Sequence, residues 1–103
     1  MDKQPIRVTI WNEYLHERRD QRVGAVYPQG IHEAIAAGLK AHAGDDVVAR
    51  TATLDQPEQG LPDEVLRDTD VLIWWGHVAH GQVADSVVDR VQQGRAWKLW
   101  WGE

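Results

Sequence analysis

Two histidines, His77 and His80, stand three residues apart just beyond a glycine, in the stretch DVLIWWGHVAH from Asp70 to His80. Imidazole exchanges protons near neutral pH and is the commonest side chain on protein-bound metals. Side chains at i and i+3 share one face of a helical turn, so this pair could act on one ligand or hold a divalent ion such as zinc. The spacing is not that of metalloproteases, which set their histidines at i and i+4 with a glutamate between. A second pair, Glu13 and His16, has the same separation and could supply a general base and the group that orients it. Asn12 directly precedes it, where it could anchor a loop or hydrogen-bond a ligand. Each assignment has a plainer competitor. His77 and His80 could simply cap a helix, and Glu13 and His16 could belong to a charged loop with Glu17, Arg18, Arg19 and Asp20. His32 and His42, on a helix further along, read as structural or surface residues, with His42 favouring the negative end of its helix. No phosphate cradle of the GxGxxG or GxxxxGK[ST] type occurs.

These residues need elements to position them. Ile6–Trp11 alternates apolar and polar residues and is rich in β-branched and aromatic types, so it reads as a strand. Asn12–Tyr27 is charged, lacks a helical stripe and is a long connection, of the kind that often carries function. Pro28 opens a helix with Ile31, Ile35, Leu39 and His42 on one face, and Gly44 closes it. Asp46–Thr51 is a modest second strand, and Thr53–Leu61, with Pro57 and Gly60, is a loop. Pro62-Asp63-Glu64 starts a short helix, its carboxylates where the helix dipole favours them. Val71–Trp75 is the central strand. Val83, Val87, Val88 and Val91 then line one helical face, Gly94 ends that helix, and the tail could form a fourth strand over Ala96–Trp101. Alternation of β and α units predicts an α/β, flavodoxin-like three-layer sandwich with a parallel sheet of order 2-1-3, extended by a fourth strand beside the third. That order sets the loops after the first and third strands side by side, at the switch point where open α/β sheets bind ligands. Glu13 and His16 are then expected to face His77 and His80 as a catalytic group. Asn12, Trp75 and Gly76 are the substrate-binding candidates. Trp74 and Trp75 should point to opposite sheet faces, with core packing the default and an aromatic wall for a sugar the alternative.

The chain has 103 residues, enough for one domain. Its net charge is −5, from 11 basic and 16 acidic side chains. No basic run exceeds Arg18-Arg19, which argues against nucleic acid as a partner. It has no cysteine, so disulfides, thiolate metal ligands and a cysteine nucleophile are excluded. The absence of cysteine suits a reducing compartment. The start MDKQPIRVTIW lacks the pattern of a signal peptide, and the longest apolar run, Val71–Trp75, is too short to span a bilayer. A cytoplasmic protein is expected, without membrane partners.

Several longer motifs occur together and in order: VTIWNEYLHERRD, AVYPQGIHEAIAAGL, LDQPEQGLPDEVLRDTDVLIWWGHVAH and DSVVDRVQQ. Over roughly Ile6 to Gln93 the chain resembles the amino-terminal half of ThuA-like trehalose-utilisation proteins. The resemblance implies a class I glutamine amidotransferase-like fold, a flavodoxin-like sandwich. It also implies a role in using trehalose or related disaccharides, acting on a sugar or keto-sugar. Asn12, Glu13, His16, Gly76, His77 and His80 fall at motif positions. Glutamine hydrolysis is not implied, because the wider superfamily uses a nucleophilic cysteine and this chain has none. The competing function is a non-catalytic flavodoxin-like module that binds a sugar or a partner. The match ends near Gln93, where relatives continue into another strand and a second turn bearing glycine and histidine. Residues 1–103 are therefore expected to be a single, incomplete ThuA-like domain with an atypical tail over 94–103. Three of the chain's six tryptophans lie in its last seven residues. Tryptophan has the single codon TGG, so such a cluster is what a shifted reading frame through GC-rich DNA would give. A sheet left with an open edge should favour a homo-oligomer.

Overall fold

The computed structural model describes residues 4–14, 19–75, 83–94 and 97–101. Four strands form one sheet: β1 (Ile6–Asn12), β2 (Val47–Thr53), β3 (Val71–Trp75) and β4 (Trp97–Trp101). Their order is β2-β1-β3-β4 and every pairing is parallel. This is the flavodoxin-like order expected from the alternation of elements, with the fourth strand beside the third. Among the described residues four α-helices connect or flank the strands: α1 (Gln21–Val26), α2 (Ile31–Ala43), α3 (Asp63–Arg67) and α4 (Asp85–Gln93).

β1 is central, and it is buried from Val8 onward on both faces, as a strand covered by helices on either side should be. One face carries Thr9 and Trp11, in register with Leu72 and Trp74 of β3. Trp11 and Trp74 stack with ring centroids 4.0 Å apart and planes 16° from parallel. Ala52, Leu61, Leu66, Val83, Val87 and Val91 complete this core. Val87 and Val91 are the stripe that the sequence shows on α4, while Val83, expected on the same helical face, is buried just before the helix begins. The opposite face of β1 carries Val8, Ile10 and Asn12, and α2 packs on β1 and β2.

Asp70 fixes the sheet's register at its amino end. Its backbone N–H donates to Arg7 O at 2.8 Å, and its own carbonyl accepts from Trp97 N at 2.8 Å. Its carboxylate accepts from Arg7 N (2.8 Å), Nε (3.2 Å) and Nη2 (3.0 Å). One residue therefore ties β1, β3 and β4 together before the ladder begins.

Three details differ from expectation. The long connection after β1 contains α1, capped by Asp20, whose carboxylate accepts from Arg22 N at 2.9 Å. None of its residues is buried, so it has no apolar stripe to betray it. β2 starts at Val47 and runs to Thr53, because Ala52 and Thr53 continue pairing with Trp11 and Asn12, while Asp46 sits in a 3-10 turn. On α2 the buried face runs through His32, and His42 is exposed in the last turn. Among the described residues no helix is long and apolar enough to cross a membrane.

Candidate functional site

Strands β2, β1 and β3 end level with one another: Asn12 lies opposite Thr53 on one side and Trp75 on the other. Asn12 is fully buried. The next residue, Glu13, is only 1% exposed, and its N–H donates to Trp75 O at 3.3 Å. The β1–β3 ladder thus continues one step past the strand and buries Glu13 at the sheet's end. Tyr14 then turns the chain with φ 57°, a left-handed conformation that costs a non-glycine residue about 1–2 kcal/mol. Its N–H donates to Asn12 Oδ1 at 3.0 Å. Asn12 therefore does anchor the loop.

Helix α2 contributes a residue to which the sequence assigns only a structural or surface role. His32 is 5% exposed, and its Nδ1 lies 3.0 Å from Asn12 Nδ2. The Tyr14 ring meets it edge-on, with centroids 4.9 Å apart. Gly30 lies against the same ring at φ 95°, and a Cβ there would come within 2.3 Å of His32 Cε1. A signal for His32 was available. In a parallel α/β unit the helix that follows a strand starts at the strand's carboxyl end, so first-turn residues lie where ligands bind.

Asn12, Glu13, Tyr14, His32 and Trp75 are thus brought to one end of the sheet, with Trp75 half-buried. The remaining candidates, His16, Gly76, His77 and His80, lie outside the described residues. So do the expected meeting of Glu13 with His77 and the zinc pair His77 and His80. Among the described residues no group of three or more His, Asp or Glu side chains is placed to hold a metal ion.

The connection after β2 flanks this end. Glu58 and Gln59 have φ of 54° and 56°, and with Tyr14 they are the non-glycine residues of positive φ among those described. All three lie in connections leaving the carboxyl ends of β1 and β2. Strained backbone of this kind persists only where the surroundings hold it and clusters at functional ends of folds. Gln59 O accepts from Trp11 Nε1 at 2.8 Å, and Gln59 Oε1 accepts from Ala84 N at 2.9 Å. The LDQPEQGL motif thereby joins β1, the β2 loop and the start of α4.

The amino end of the sheet is different in kind. A groove of about 660 Å³ there is lined by Arg7, Arg67, Asp70, Arg90 and Trp97, among others. Hydrogen bonds from Arg7 hold the Asp70 carboxyl below its ordinary range, and Asp70 raises the Arg7 guanidinium above its own. This pair is the register clamp already described. Comparison with known proteins adds no relative: no protein-family model matches the chain, and no curated protein matches it.

Proposed function

We propose that the chain is a ThuA-like sugar-utilisation domain whose site lies beyond the carboxyl ends of β1 and β3, where it acts on trehalose, a related disaccharide or its keto-sugar. One observation supports the reading: Glu13 is buried directly beyond the carboxyl end of β1, beside the switch point of a 2-1-3-4 sheet, in a turn closed by the Tyr14 N–H on Asn12 Oδ1. In this reading Glu13 is the general base for a sugar hydroxyl or a carbon beside a keto group, with His16 as its orienting partner. His77 and His80 exchange protons from the β3 side, and Asn12, Trp75 and Gly76 contact the sugar. Imidazole and carboxylate are also donors that zinc takes, so His77 and His80, with Glu13, would be the residues to hold it.

Thermal unfolding tests both parts. Trehalose should raise the wild-type Tm by binding the folded state preferentially, and Glu13→Gln should abolish turnover. A rise in Tm with no turnover in either protein would favour the non-catalytic binding module. No rise with trehalose would overturn the sugar reading. Zinc should raise the wild-type Tm and do so much less for His77→Ala and His80→Ala. An equal rise in all three would remove the metal and leave the sugar.

A further inference from the structure

We infer that His32 is a positioning residue of this site: its neutral ring, accepting at Nδ1, holds the Asn12–Tyr14 turn that carries Glu13. What Glu13 then does rests on the sugar reading above; the positioning itself does not. The inference starts from Asn12. Its Oδ1 accepts from Tyr14 N at 3.0 Å, which fixes the orientation of the amide and leaves Nδ2, a donor only, facing His32 Nδ1 at 3.0 Å. A donor facing that nitrogen requires it to carry a lone pair. The ring is therefore the neutral tautomer with its proton on Nε2.

The surroundings hold the ring in that pose. It is buried at 5% exposure and touched edge-on by Tyr14. The backbone of Gly30 lies so close that a Cβ would be 2.7 Å from Nδ1 itself. The chain runs from His32 through the Asn12 amide to the Tyr14 N–H, and Glu13 is the residue enclosed between the two anchored ends. Losing the acceptor at Nδ1 removes the contact that Asn12 Nδ2 makes with the ring and loosens a turn that already carries left-handed strain at Tyr14.

The test needs no sugar. In ¹⁵N-labelled wild-type protein, the ring nitrogens of His32 should report Nδ1 unprotonated and Nε2 protonated; the reverse tautomer would overturn the inference. Two variants then separate position from polarity. His32→Asn places an acceptor oxygen where Nδ1 was, and His32→Gln places one where Nε2 was. Exchange of the Tyr14 amide hydrogen should stay within about twofold of wild type in the Asn variant and speed up about tenfold or more in the Gln variant, with the Leu72 amide of β3 as the internal control. Equal acceleration in both variants, or none in either, would contradict the role. Failure of trehalose to bind would leave these readouts untouched and would sink the sugar reading alone.

Discussion

Asn12 does two jobs with one side chain: its oxygen stops the strand's successor from drifting, and its nitrogen reaches the next helix. A short amide at a strand end suits this, because it can satisfy a local N–H and a distant acceptor together. The position and burial of Glu13 follow from it. The position at the strand's carboxyl end was legible in the sequence, since a polar pair directly follows a β-branched run, but the burial of Glu13 was not, because its charged neighbours read equally well as an exposed loop. His32 was not legible from its own neighbourhood. A histidine beside an apolar stripe looks like any half-buried helix residue; its first-turn position places it at the strand's carboxyl end, and the pairing with Asn12, twenty positions earlier, assigns its partner. Gly30 offers the direct test at this scale. Replacing it with alanine forces a side chain into φ 95° and against the His32 ring. It should cost about 1–3 kcal/mol in urea unfolding and disturb the Asn12 side-chain amide signal. An unchanged midpoint and unchanged amide signal would show that the ring is not held there.

Among the elements, the strands and α2 were readable because their boundaries are punctuated: β3 by its unbroken apolar run, α2 by Pro28 before it and Gly44 after it. α1 was unreadable because it buries nothing, and a helix without a buried face has no periodicity to show. The end of β2 was set by its neighbour, since Ala52 and Thr53 take their conformation from pairing with Trp11 and Asn12. The Arg7–Asp70 clamp gives the sheet a pH dependence of definite sign. Hydrogen bonds from Arg7 lower the folded-state pKa of Asp70, so its contribution is present above the unfolded carboxylate range and is lost as pH falls through the folded value. Asp70→Asn should therefore melt below wild type at pH 7, and the gap should close as the pH drops below about 4. A gap that persists undiminished at low pH would assign the loss to something other than this ion pair.

At the scale of the whole molecule, the two ends of the parallel sheet divide the work. The amino end is closed by charge pairs that align β1, β3 and β4 through Arg7 and Asp70. The carboxyl end gathers the buried Asn12 and Glu13, His32, and every described non-glycine residue of positive φ. Topology alone produces this separation, which is why the fold, and the end of the sheet at which the connections after β1 and β3 leave, were legible from the order of elements, while the chemistry gathered there was not. The ligand is what remains to be placed on this frame. The most direct measurement is a titration of ¹⁵N-labelled protein with trehalose, followed amide by amide. Binding at the switch point predicts saturable shifts for Asn12, Glu13, Tyr14, His32 and Trp75, with Arg7, Asp70 and Trp97 at the other end unmoved. Shifts confined to Arg7, Asp70 and Trp97, or no saturable shift at all, would contradict a sugar site at the carboxyl ends of β1 and β3.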